Sequence, residues 1–339
     1  MANSSSNSSQ NSNKNNQKQI SVFAPASIGN VSVGFDVLGQ AVKPVDGTLL
    51  GDVVSIEKSS KNELEVVGRF ADKLPSNKEE NIVWQCLLLF NQALEKQNIV
   101  VDKVKLTLDK KMPVGSGLGS SACSVVAALH ALSEYYKQRD NAAPFYDKAL
   151  LKMMGQMEAQ ISGSLHYDNV APCFLGGLQL MVTDSEIISK TLPSFNDCYY
   201  VMAYPGINVS TKAARDVLPK QYSRADLIAY GQNLATFVDA CHNNDKQQAF
   251  AVLTDVVAEP YRKELLPKYQ QARDYLSEQG ALAVGISGSG PTLFCVCQEK
   301  TQAEQFAQWL DVNYLQTVDG VSNGFVHVCQ IDQQGSIVL

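Results

Sequence analysis

Apolar and polar residues alternate in two stretches of the chain, GDVVSIEKS and KVKLTLDKK, where Val54 and Ile56, then Val104, Leu106 and Leu108, share one side. A period of two is the mark of a half-buried strand. Between them ENIVWQCLLLFNQALEKQ carries apolar residues at helical spacing. Upstream, QISVFAPASIGN reads as a short apolar strand running into a turn rich in Pro, Ser, Gly and Asn. After the strand ending near Lys111 comes PVGSGLGSS, and then Val125, Val126, Leu129 and Leu132 recur at steps of three and four, which predicts a helix. YDKALLKMMGQMEAQISGS predicts a second helix ending on Gly163, after which HYDNVAPCFLGGLQLMVTD returns to a strand pattern.

Beyond about Asp184 the alternation restarts in CYYVMAYPG. Helical patterns follow in RADLIAYGQNLATFVDACH and KQQAFAVLTDVVAEPYRKELL, then two apolar strands flank a Gly-rich turn in ALAVGISGSGPTLFCVC. A helix around AEQFAQWLD and a last strand, GFVHVCQI, complete the series. Strand and helix alternate throughout, which makes the chain α+β, with residues 20–183 and 184–339 expected as two domains and no repeat at solenoid period. Residues 1–19 are almost all Asn, Ser, Gln and Lys with nothing to bury, so a disordered leader is expected there.

Composition narrows the function. A chain of 339 residues with 45% hydrophobic and 18% charged residues is that of an ordinary globular protein, and no apolar run approaches the roughly 18 residues of a membrane helix. A net charge of -6 with no offsetting basic block argues against nucleic acid or an anionic membrane as partner. The eight cysteines are scattered, without a CxxC pair or zinc-ligand spacing, and read as reduced core residues. With no secretory segment at the start, a cytoplasmic location is the expectation.

PVGSGLGSS places three glycines and three serines directly before a helix. A helix N-terminus exposes unpaired N–H groups and the positive end of its dipole, and glycines let the backbone approach an anion closely. Ser120 and Ser121 suit either a helix cap or a contact with phosphate or magnesium. The loop lacks the Gly-Lys-Ser/Thr of a Walker loop, fails GxGxxG because Ser120 stands where the third glycine belongs, and contains no GxSxG elbow. On spacing alone, cap and cradle remain equal.

PVGSGLGSSAC resembles the nucleotide-phosphate loop of the superfamily of galactokinases, homoserine kinases, mevalonate kinases and phosphomevalonate kinases (GHMP kinases). PASIGNVSVGFDVLG and GISGSGPTLF resemble its first and third motifs, in the right order. Within the superfamily, SGSLHYDNVAPCFLGG, YPGINVSTKAARDVLP and EPYRKELLP look like homoserine kinases, and the resemblance runs from Ile20 to Leu339. It implies a two-domain GHMP kinase fold, with a mixed-sheet nucleotide-binding N-terminal domain and a ferredoxin-like C-terminal domain. It further implies ATP with Mg2+, L-homoserine as phosphoryl acceptor in threonine biosynthesis, and a homodimer.

The site residues follow from the same resemblance. The loop Pro113, Val114, Gly115, Ser116, Gly117, Leu118, Gly119, Ser120, Ser121, Ala122 and Cys123 would hold nucleotide phosphates, with Asn81 beside the adenine. Glu158 matches the magnesium carboxylate, with Ser120 or Ser121 supplying a hydroxyl; a hard cation wants such oxygen ligands. Arg215 and Arg262 match the residues that fork onto the substrate carboxylate, and Asp36 with Asn30 those that take its ammonium. His166 reads as a structural residue or a substrate contact, and Gly288 lies in a turn that packs near the phosphate loop. Asn169 cannot take a proton, so it is expected to orient the hydroxyl while the proton leaves to a phosphate oxygen or water; Asp168 as direct base is the alternative. Other readings are another superfamily kinase acting on mevalonate or a sugar, and an inactive nucleotide or metabolite sensor of the same fold.

Overall fold

The computed structural model describes residues 19–183, 186–315, 317–318 and 321–339. The expected leader therefore lies, but for Gln19, outside the described residues, and the expected domain boundary falls beside the undescribed positions 184–185. The first half runs β1 (Ile20–Pro25), β2 (Ser27–Gly29), β3 (Leu38–Pro44), β4 (Gly51–Lys58), β5 (Glu63–Val67), α1 (Ile82–Lys96), β6 (Val104–Asp109), α2 (Ser120–Asp140), α3 (Asp147–Ser162), α4 (Val170–Leu175), β7 (Leu178–Met181) and β8 (Ser189–Leu192). The second runs β9 (Tyr199–Tyr204), α5 (Thr211–Asp216), α6 (Arg224–Asn243), α7 (Lys246–Ala251), α8 (Glu259–Arg262), α9 (Tyr269–Glu278), β10 (Ala283–Ile286), β11 (Leu293–Cys297), α10 (Lys300–Asn313), β12 (Thr317–Val318), β13 (Val321–Ser322), β14 (Phe325–Ile331) and β15 (Ile337–Val338).

One mixed sheet has the order β15-β1-β4-β6-β5, antiparallel except for the β5–β6 pair. A larger antiparallel sheet runs β10-β11-β9-β14-β3-β7-β8, with β2 also paired to β3. The β3–β14 pairing joins strands from opposite ends of the chain, and β15 returns to pair with β1. Together these elements form an α+β architecture with two main sheets.

Helix α2 explains where the site lies. It packs against β1 and β4 on one side and against α1, α3 and α4 on the others. A helix surrounded in this way is apolar or small nearly all round, as Ala122, Val125, Val126, Leu129 and Leu132 are. Its axis is thus held in the core, and the loop before its N-terminus lies beside the β10–β11 turn, whose Ser287 bonds the Gly117 carbonyl. Helix α1 starts where Asn81 Oδ1 accepts the Val83 N–H and buries Val83, Trp84, Leu87, Phe90 and Leu94 on one face. Helix α3 ends as predicted on Gly163 in the left-handed conformation.

Two predicted stretches differ. VAPCFL inside the expected strand region is the short helix α4, and the strand begins only at Leu178. The helix expected across 246–266 breaks after Ala251, because Asp255 accepts the backbone N–H groups of Val257, Ala258 and Glu259 and starts α8 anew, with Pro260 in its first turn. Among the described residues, no helix is long and apolar enough to cross a membrane.

Candidate active site

A cleft of about 580 Å3 opens between the N-terminus of α2, the β10–β11 turn, and the segments before α4 and α5. Its floor at one end is the Gly/Ser loop. The carbonyl of Gly115 accepts from Val209 N, and that of Ser116 from Thr292 N and Oγ1. The carbonyl of Gly117 takes Ser287 Oγ at 2.7 Å and that of Leu118 takes Ser27 N at 3.1 Å. In a trans peptide the next N–H points the opposite way, so fixing four successive carbonyls aims the intervening amides away from those partners. Gly117 needs its φ of +78°, and a Cβ there would meet the Ser287 carbonyl oxygen at 2.5 Å.

The start of α2 is not capped by its serines. The N-cap is Gly119 in the left-handed region, with no side chain capping the helix. Ser120 Oγ instead donates to Met112 O at 3.3 Å, and Ser121 Oγ bonds both carboxylate oxygens of Glu158 at 2.8 Å. The first-turn amides thus carry no side-chain cap, and a helix start of this kind is chemically suited to an anion.

Glu158 projects from α3 into this end of the cleft. Loss of water raises its pKa, opposed by the Ser121 hydrogen bond and the positive charge of Lys110. A carboxylate and a hydroxyl in contact are hard oxygen donors of the kind magnesium takes alongside phosphate and water. Of the two expected hydroxyls, only Ser121 reaches Glu158; Ser120 points back to the strand end.

The other end of the cleft is built from charged side chains. Arg215 Nη2 binds Asp36 Oδ1 and Oδ2 at 2.9 and 3.1 Å and lies 3.0 Å from His166 Nε2. Arginine has only donors, so this contact makes His166 Nε2 an acceptor and the imidazole neutral. Burial depresses the His166 pKa, which Asp36 raises and Arg215 lowers. Asp36, His166 and Asp168 lie within metal-binding distance of one another, yet the Arg215 guanidinium already bonds two of the three.

Arg262, carried by α8, is buried and donates through Nε to Ala214 O at 3.0 Å and through Nη1 to Gly288 O at 2.9 Å. Asn30 Nδ2 shares that Gly288 oxygen at 3.1 Å, while its Oδ1 accepts Asp36 N. The ring of Phe35 lies near both arginines, 5.7 Å from the Arg215 guanidinium carbon and 5.3 Å from that of Arg262. Burial lowers the Arg262 pKa and Asp255 raises it.

Between the ends sit Asp168 and Asn169. Asn169 Oδ1 accepts from Ser27 Oγ at 2.9 Å and its Nδ2 donates to Asp168 Oδ2 at 3.2 Å, which fixes the amide's orientation. Burial, together with the charges of Asp36 and Glu158, pushes the Asp168 carboxyl up to about 7.

The cleft thus brings together Asn30, Asp36, Asn81, Val114, Gly115, Ser116, Gly117, Gly119, Ser120, Ser121, Glu158, His166, Asp168, Asn169, Arg215, Arg262 and Gly288. Leu118, Ala122 and Cys123 are in the core instead, and Pro113 is not on the cleft wall. Cys123 Sγ contacts Pro25 O, which marks it as packing for the loop. Sequence reasoning missed Lys110, Ser27, Asn208 and Phe35. Ser27 and Phe35 stand inside the first quoted motif; Lys110 carried no signal beyond its place at the end of a strand.

The family description "GHMP kinases N terminal domain" matches residues 81–177, and "GHMP kinases C terminal" matches 234–311. The chain is similar to the crystal structure of homoserine kinase from Cytophaga hutchinsonii, with 32% identity, 98% of this chain and 100% of that chain covered, and a TM-score of 0.83. A putative homoserine kinase from Listeria monocytogenes shares 19% identity over 94% of this chain and 99% of that one, with a TM-score of 0.65. Mevalonate kinase from Methanococcus jannaschii shares 14% over 94% and 99%, with a TM-score of 0.66; at these identities the likeness shows the fold alone.

Proposed function

The chain belongs to the GHMP kinase family, which makes it a small-molecule kinase, and we propose that it transfers the γ-phosphoryl group of Mg-ATP to the side-chain hydroxyl of L-homoserine. The products are O-phospho-L-homoserine and ADP. The observation that carries this reading is the opposition of a backbone cradle at one end of the cleft to Asp36, Arg215 and Arg262 at the other. An α-amino acid needs both signs of charge, whereas mevalonate offers no ammonium for Asp36 and a neutral sugar offers neither charge. The similarity to a homoserine kinase across nearly the whole chain supports the same substrate.

Phosphoryl transfer asks the protein for alignment and charge neutralisation. Magnesium, when bound, neutralises charge on the phosphates, and Glu158 with Ser121 would hold it. The loop amides and the start of α2 take the phosphate oxygens. Asp36 and Arg215 pair with each other when no substrate is present, and a zwitterion exchanges that contact for one to each of its own ends. Arg262, already fixed by two carbonyls, directs its remaining donors to the same carboxylate. Asn169, with its amide held from both sides, orients the acceptor hydroxyl, and the proton leaves to a phosphate oxygen or water.

A second reading gives the proton to Asp168, favoured by its carboxyl lying near 7, where a base works best at neutral pH. Loss of kcat in Asp168→Asn with both KM values unchanged would establish Asp168 as the base; retained kcat supports transfer to phosphate. The substrate itself is tested by coupled ADP release with homoserine, mevalonate and galactose. Turnover of homoserine alone is expected, and turnover of mevalonate alone overturns the assignment.

A further inference from the structure

A buried ion pair lies directly beneath the phosphate loop, and beyond the charge of Lys110 felt by Glu158 it has no part in the assignments above. Lys110 follows β6, is almost wholly buried, and places Nζ 2.6 Å from Asp52 Oδ2, 2.8 Å from Ser120 O and 3.0 Å from Ser124 Oγ. Ser124 Oγ in turn donates to Asp52 Oδ2 at 2.6 Å. The other Asp52 oxygen accepts the backbone N–H groups of Lys111 and Met112, at 3.0 and 2.9 Å. All three ammonium protons and both carboxylate oxygens are thereby used.

Their targets are the two flanks of the loop. Lys111 and Met112 are the residues from which the chain enters it, and Ser120 and Ser124 form the first turn of the helix on which it ends. Ser120 Oγ, donating to Met112 O, ties the flanks to each other. The pair adds no net charge to the site. A buried pair of this kind contributes little to stability compared with a well-packed apolar replacement, so its bonds to the loop flanks are the distinctive thing it supplies.

One of those bonds also acts on electron density. The Ser120 carbonyl and the Ser121 N–H belong to the same peptide group, and a charged donor on the carbonyl polarises that peptide and strengthens its N–H as a donor. The Ser121 N–H stands in the uncapped first turn of α2, at the mouth of the cradle.

We infer that Asp52, Lys110 and Ser124 are positioning residues for nucleotide binding, holding the phosphate loop at its two ends and polarising the Ser120–Ser121 peptide toward the phosphates. The inference rests on the loop being the nucleotide-phosphate site. In place of the lysine that a Walker loop carries within its sequence, this chain has a lysine under the loop that acts through a backbone carbonyl.

The test compares the wild-type chain with Lys110→Met, the double variant Asp52→Asn/Lys110→Met, and Ser124→Ala. Titration calorimetry with Mg-ADP gives nucleotide affinity, thermal unfolding gives stability, and steady-state kinetics gives the two KM values. Lys110→Met leaves Asp52 buried without its cation and is expected to lower both Tm and Mg-ADP affinity. In the double variant the buried charge is gone, so Tm recovers toward wild type while Mg-ADP still binds at least about 10-fold more weakly, with homoserine KM within about twofold. A merely structural pair would regain affinity together with Tm, and that result overturns the inference. Ser124→Ala decides the matter if the double variant does not fold: a roughly threefold loss of Mg-ADP affinity is expected, and unchanged affinity overturns the proposal. Absence of Mg-ADP binding to the wild type would instead sink the reading of the loop itself.

Discussion

The two ends of the cleft solve recognition with different material. At the end proposed for phosphate the groups are main chain: carbonyls tied to β2, the β10–β11 turn and Val209, with an uncapped helix start beneath. At the other end stand side chains from four separate segments, the ionised Asp36, Arg215 and Arg262 and the neutral His166, of which Asp36, His166 and Arg215 are in contact with one another. Main-chain groups recognise a phosphate whatever it is attached to. Side-chain charges recognise the arrangement of charges on one class of acceptor, and specificity within the family is therefore expected to lie at that end.

That contrast can be broken one end at a time. The largest effect is expected from Glu158→Gln, which keeps the shape but weakens the hold on magnesium: kcat should fall by roughly 100-fold or more, measured by ADP release at saturating substrates. Full activity would remove Glu158 from the site. Gly117→Ala forces a Cβ against the Ser287 and Gly290 carbonyl oxygens at a φ of +78°. The loop must shift, and KM for ATP should rise by about 10-fold or more while homoserine KM moves little. Arg262→Leu is the mirror experiment. Homoserine KM should rise by about 10-fold with ATP KM unchanged, because only a ground-state contact to the carboxylate is lost.

The smallest effect concerns stability. The Asp168 carboxyl lies at about 7 in the fold against an ordinary 3.8. Below the ordinary value it is protonated in both states and carries no penalty; the cost of charging it grows as pH rises and is complete above about 7. Asp168→Asn mimics the neutral acid, so its Tm should exceed that of wild type by several degrees at pH 8 and match it near pH 4. Equal differences at both pH values would contradict the buried-carboxylate account.

Elements with their own local signals were legible from the chain. The apolar spacing in 82–96, Gly163 after a helix, and the alternation in 104–109 each encode structure within a few residues, and each is found where expected. The failures have equally local causes. Asp255 and Pro260 restart a helix that periodicity alone continues, and α4 is too short for its period to show. Most of the charged groups assembled at the substrate end were found through the family motifs, since a single Asp or Arg has no pattern of its own. Lys110 and Asp52 were out of reach: their partnership spans 58 positions and is visible only once β4 and β6 are side by side.

The division of labour between the two ends is the central claim, and acceptors stripped of one charge test it most directly. ADP release is to be measured with L-homoserine, with 4-hydroxybutyrate, which lacks the ammonium, and with 3-amino-1-propanol, which lacks the carboxylate. Removing either charge should lower kcat/KM for the acceptor by roughly 100-fold or more, because one of the charged groups at this end loses its substrate partner, while KM for ATP stays within about threefold. Comparable turnover of all three acceptors would contradict the account.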